Sequence, residues 1–218
     1  MDKKSVLSFL QEHPEFLAEH ANILGVRMHD DKVRSFAQAQ MAASQQKIKK
    51  MAKQVEVMLD DAQANHATMN KLFALNLKLL AANTVKQAAD ALYQSLAEDF
   101  GIRYMRLVLI AEPVNKARVP EGLKIMRDSK AGAAVAALEK VEAGGKIKPE
   151  LRSLLNNDSN AVLESFLQLP LLIGGQTGGF LLLADEDVGR FSADLSTEWV
   201  SQLAQAVGVL LSRMMGYR

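Results

Sequence analysis

SFLQLPLLIGGQTGGFLLLADEDVGRFSADLSTEWVSQLAQAVGVLLSRM, from Ser165 to Met214, is the stretch whose reading decides the fold. Glu164 to Ile173 and Gly179 to Ala184 are apolar runs of strand length. Between them Gly174, Gly175, Gln176, Thr177 and Gly178 make a turn, so the pair reads as an antiparallel hairpin with a longer loop. An acidic loop and Arg190-Phe191 follow. After Ser192 the apolar positions change period: Leu195, Trp199, Leu203, Ala206, Leu210 and Met214 face one way on a helix.

Working outward, Thr84 with Gln87 three residues on forms a capping box, which satisfies orphan N–H groups at the start of a helix. Ala88, Ala89, Leu92, Leu96 and Phe100 give that helix one apolar face, and Gly101 stands where a left-handed residue ends it. Ile102 to Ile110 reads as a strand and Pro113 to Gly122 as a loop. Leu123 to Met126 has the composition of a short strand. Ala131 to Ala143 is an Ala-rich helix stopped by Gly144 and Gly145, and Pro149 opens a short helix through Leu155.

Upstream, Lys32 to Ala82 contains neither Gly nor Pro and is rich in good helix formers. With Met41 at heptad position a, Ser44, Ile48, Met51, Val55, Met58, Ala62, Asn65, Met69, Leu72, Asn76 and Leu79 fall alternately at d and a, the 3-4 repeat of a coiled coil. Ile48, Met51, Val55, Met58, Met69 and Leu72 are therefore the expected dimer contacts. Leu59, Phe73 and Leu80 at e and Leu75 at g widen the stripe near its end, as packing on a domain or in a four-helix arrangement requires. Before the long helix, Val6, Phe9, Leu10, Phe16, Leu17, Ile23 and Leu24 recur at helical spacing, with Pro14 dividing two short helices and Gly25 closing the second.

The order helix, strand, helix, hairpin, helix looks like a GAF domain, whose C-terminal half is resembled in Leu169-Pro170-Leu171, the glycine turn, the acidic loop and Arg190-Phe191. With the opening VLSFLQEHPEFLAEHANIL and the long helix, nearly the whole chain resembles the bacterial domain-of-unknown-function family numbered 484. The resemblance implies an α+β fold: an antiparallel sheet with helices packed on one side, carried on a long N-terminal helical, coiled-coil arm, and dimers formed through the helices. The expected organisation is a helical head over 1–30, an arm over 31–83 and a GAF-like domain over 84–218. The Asn-Lys-Phe-Asp-Glu signature of cyclic-nucleotide-binding GAF domains is not present, so that ligand is not implied.

Lys+Arg at 26 nearly balances Asp+Glu at 25, which gives no global reason to expect nucleic acid or an anionic membrane as partner. Lys47, Lys49, Lys50 and Lys53 form a basic run, but they occupy the outer heptad positions and no aromatic residue is interleaved for base stacking. No stretch approaches the roughly 20 apolar residues that span a bilayer. With no cysteine, thiolate metal sites and a cysteine nucleophile are excluded, and a cytoplasmic location is expected.

The four histidines, His13, His20, His29 and His66, all precede the domain, and no metal-pair spacing occurs among them. No metal site is expected and no cofactor is indicated. Gly145-Lys146 lacks the leading Gly and the trailing Ser or Thr of a phosphate loop, and no Gly-x-Ser-x-Gly elbow occurs. Asp185, Glu186 and Asp187 are adjacent, which suits a polar loop better than a pair of catalytic carboxylates, though a carboxylate- or magnesium-dependent hydrolase is the competing class. Arg106 in an apolar strand and Gln168 in an apolar run are polar groups that need partners. They are the candidate ligand-binding residues, for a small, partly apolar, anionic molecule over the sheet. The expected function is a non-catalytic sensor or regulatory module that dimerises. A protein-interaction scaffold without ligand is the alternative.

Overall fold

A computed structural model describes residues 2–20, 23–24, 30–155, 161–195 and 197–217. The chain divides into two compact units, Met1–Ala64 and Asn65–Arg218. In the first, α1 (Lys3–Glu12) and α2 (Glu15–Glu19) flank Pro14 as expected, while Gly25 and His29 lie outside the described residues. Phe9, His13, Phe16 and His20 stack along these turns, with Phe9 edge-on to Phe16 at 5.3 Å and Phe16 parallel to His20 at 4.3 Å. The long helix α3 runs over Asp30–Ala81, 52 residues without the Gly or Pro that would break it.

The second unit is built on a four-stranded antiparallel sheet in the order β1-β4-β3-β2: β1 Tyr104–Leu109, β2 Glu142–Gly144, β3 Ser165–Ile173 and β4 Gln176–Asp185. Helix α4 (Val85–Glu98) starts as its sequence dictates. Thr84 Oγ1 accepts from the Gln87 N–H at 3.2 Å, and Gln87 Oε1 accepts from the Asn83 N–H at 2.9 Å. Gly101, at φ 65°, closes it.

The hairpin is tighter than the sequence suggests. Ile173 pairs with Gln176, so the turn is only Gly174-Gly175, both at positive φ (62° and 83°), the type I′ geometry that follows the strand twist. A bulge between Leu171 and Leu172 takes up the register. The Ala-rich segment also differs: α5 covers only Lys130–Ala136, and β2 takes Glu142–Gly144. The reason is tertiary. Glu142 to Gly144 find a ladder on the β3 edge, and Thr177 Oγ1 donates to the Leu138 carbonyl at 2.8 Å, so pairing overrides helix propensity. Leu123 to Met126 forms no strand; a 3-10 turn over Glu121–Leu123 leads into one parallel bridge, Leu109 to Lys124.

Strand alternation sorts the core into two layers. Leu107, Leu109, Leu167, Leu169, Leu171, Leu181 and Leu183 point to the face covered by α4, by α7 (Glu198–Met215) and by the end of α3. The long helices thus pack on one side, as expected. The other face, with Val108, Phe166, Phe180 and Leu182, is also closed, by Val135 and Leu138 at α5 and Leu151 of α6 (Pro149–Arg152).

Leu72, expected at a dimer contact, is instead 9% exposed and lies in this domain's own core with Leu75 and Leu79. The heptad assigns Leu72 and Leu79 to d and Leu75 to g, and that side of the helix packs into the core shared with α4 and α7. Phe73 and Leu80, at e, stay exposed.

Candidate functional site

Arg106 and Gln168 stand in one row across the sheet. Arg106 pairs with Leu182, and Leu182 pairs with Gln168, so both side chains leave the same face, that of Val108 and Phe166. They do not converge. Leu182 separates them, and each turns to its own edge. Arg106 Nη2 donates to the Gly122 carbonyl at 2.7 Å beside β1, while its Nε is buried without a hydrogen-bond partner. Gln168 is 3% exposed, and its Nε2 donates to the Lys146 carbonyl at 3.3 Å beside β2. The apolar side chains on that face between them, Val108 and Ile110 with Phe180 and Leu182, are packed core.

Next to β1, the Tyr93 hydroxyl accepts the edge N–H of Leu107 at 2.8 Å. Burial pushes the Tyr93 phenol above its ordinary value, against the opposing pull of that hydrogen bond and of Arg106. This arrangement closes a strand edge and supplies no reactive group.

Two open cavities flank the sheet. One, of about 680 Å³, lies where β1 and the hairpin turn end, lined among others by Glu121, Lys124, Arg127, Gln176 and Tyr217. Its two cations are already engaged: Lys124 with Glu121 at 2.5 Å and Arg127 with Gln176 at 3.4 Å. The other, of about 440 Å³, opens beside β2 and has Gln168 in its wall with Lys140, Lys146, Lys148, Glu139 and Glu142. Gly144 and Gly145 as a helix stop give no sign of these lysines. The signal was present in the alternation of charge over 139–148, but only the strand at Glu142–Gly144 brings it beside Gln168.

The acidic loop is occupied by its own structure. Asp185 pairs with Arg190 at 3.4 Å, Glu186 accepts from the Tyr104 hydroxyl at 2.7 Å, and Asp187 Oδ1 accepts from the Gly189 N–H at 2.8 Å. Among the described residues no group of three His, Asp or Glu side chains is placed to hold a metal ion, and no helix is long and apolar enough to cross a membrane.

Comparison with solved structures shows the GAF fold. The GAF domain of a phosphoenolpyruvate-protein phosphotransferase from Acinetobacter superposes with a TM-score of 0.50 at 10% identity, covering 69% of this chain and 96% of that one. The A. aeolicus nlh2 GAF domain in an inactive state gives 0.49 at 12% identity, over 68% of this chain and 98% of that one. The free methionine-R-sulfoxide reductase from Neisseria meningitidis, solved with its substrate, gives 0.43 at 18% identity, over 65% and 87%. No curated protein matches the chain. The family described as protein of unknown function, DUF484, matches residues 1–215, and the chain belongs to that family.

Proposed function

We propose that the protein is a non-catalytic regulatory module that pairs with a second copy through its helices and holds a small ligand on its sheet domain. The observation that carries the pairing is the surface of α3. In the first unit Ile48, Met51, Val55 and Met58 are all more than half exposed, at a 3-4 spacing. In the second, α3 and α7 leave an apolar groove of about 450 Å³ between Leu80 and Val209, and beside it Phe73 and Trp199 line a smaller one. Met69, the remaining expected contact, lines that smaller groove. Apolar rows of this extent are uncommon on monomers. A second copy is the partner that presents the same row, as a two-fold interface requires.

A non-catalytic role is supported by the absence of His and Cys from residue 84 onward and by the engagement of Asp185, Glu186 and Asp187 in loop contacts. The regulatory reading rests on the GAF fold, an analogy of architecture. A scaffold without ligand is the second reading, favoured by one observation: Val135, Leu138, Leu151 and Phe180 fill the face above the sheet centre.

Light scattering on the full chain tests the pairing. The expected result is twice the mass of one chain, falling to one chain when Met51, Val55 and Met58 are all replaced by Asp. A monomer at micromolar concentration, or an assembly indifferent to the triple change, defeats it.

A further inference from the structure

The cavity beside β2 contains a hydrogen-bond acceptor that no described residue engages. Gln168 is almost wholly buried, and its orientation is fixed: the Lys146 carbonyl can only accept, so the amide turns Nε2 to it and leaves Oε1 free. No donor from the described residues reaches Oε1, and it is not among the buried polar atoms left unsatisfied, so it opens to the cavity, whose wall includes Gln168. An acceptor in a cavity wall can take its donor from a bound molecule in place of water.

The charges around it are also uncommitted. Lys140, Lys146 and Lys148 line the cavity with Glu139 and Glu142, and none of the five takes part in an ion pair among the described residues. Ala137, Leu138 and Ile147 add an apolar wall. A volume of about 440 Å³ lies within the usual range for small-molecule pockets.

We propose that this cavity binds a free α-amino acid with an acidic side chain. The lysines receive its carboxylates, and its ammonium donates to Gln168 Oε1 and faces the two glutamates. Three lysines against two glutamates match a ligand with two carboxylates and one ammonium. A plain dicarboxylate would leave Oε1 without a donor, and inorganic phosphate, which carries no ammonium, would set uncompensated negative charge against Glu139 and Glu142. The proposal deepens the ligand-holding half of the reading above and is independent of the pairing half.

Calorimetric titration of the full chain with L-glutamate, glutarate, AMP and potassium phosphate tests it. L-glutamate should bind one per chain and at least tenfold more tightly than glutarate, which lacks the ammonium. Replacing Lys140, Lys146 and Lys148 together by Ser, all exposed positions, should weaken it at least tenfold, and Gln168→Leu should do the same. Arg127→Ser, in the other cavity, should leave it unchanged. If Gln168→Leu does not fold, the lysine variant decides alone. Equal binding of glutarate, preference for AMP or phosphate, insensitivity to the lysine changes, or no glutamate heat at millimolar concentration would overturn the proposal. Native mass spectrometry separates this from the broader reading. A small molecule retained equally by wild type and the lysine variant sinks this site and leaves ligand holding intact, whereas no retained molecule and no binding of any probe sinks both.

Discussion

Gly208 of α7 lies directly on the backbone of Leu172 in β3, so close that a Cβ at Gly208 would sit 2.6 Å from the Leu172 carbonyl oxygen and 3.1 Å from its nitrogen. The contact is with backbone at the bulge, which cannot rotate away. Gly208→Ala would gain about 1 kcal/mol of helix propensity but incurs an overpacking cost of about 1–3 kcal/mol or more. The net expected outcome is destabilisation, with loss of folding for Gly208→Leu. Urea unfolding followed by circular dichroism measures it, and an unchanged midpoint for Gly208→Ala would contradict the packing described.

Tyr93→Phe removes only the oxygen that accepts the Leu107 N–H. Leu107 is 1% exposed, so its N–H is left without a partner in a dry environment. The expected loss is about 1–3 kcal/mol. Hydrogen exchange at the Leu107 amide should accelerate more than at Val108, whose N–H points into the ladder toward Phe180.

Asp99 ties the end of α4 to α3: it accepts from the Ser95 hydroxyl, and Lys78 Nζ approaches it at 3.1 Å. The Ser95 hydrogen bond, then Lys78, hold its carboxyl below the ordinary aspartate value of 3.8. A depressed folded value means that the contribution is complete above pH 3.8 and disappears as the pH falls through the lower folded value. Asp99→Asn should therefore be less stable than wild type at neutral pH, with the gap closing under acid. A gap that is constant down to pH 2 would show that ionisation plays no part.

The two sides of α3 should respond differently to substitution. Leu72→Ala empties part of the domain core and should cost about 2–5 kcal/mol. Met58→Asp changes a side chain that is 68% exposed, so it should leave unfolding at low protein concentration unchanged and remove the concentration dependence that pairing adds. Thermal melts at two protein concentrations distinguish these effects, because only the assembly term depends on concentration.

The elements legible in the sequence are those whose pattern is local. The 3.6-residue period of α4 and of α7 from Trp199 on, the Thr84-Gln87 cap, the first hairpin strand and the unbroken α3 appear where the residues place them, whereas the second hairpin strand already begins at Gln176 and α7 starts at Glu198, beyond Leu195. A helix cap or an apolar period is satisfied within a few residues, so the signal and its cause lie together. The polar character of Arg106 and Gln168 was equally plain, and both are held by backbone carbonyls that no local pattern indicates.

What only the tertiary structure decided depends on distant partners. Ala137 to Ala143 are not helical because the β3 edge and Thr177 offer hydrogen bonds from far along the chain, a competition propensity does not record. Leu72 joined the domain core because α4 and α7 cover it, although its heptad position is that of a seam residue. For the same reason Arg106 and Gln168, in the same row of the sheet with Leu182 between them, serve opposite edges. The sheet fixes which face each occupies, but the loops packed along its edges, Gly122 beside one and Lys146 beside the other, determine where each side chain goes.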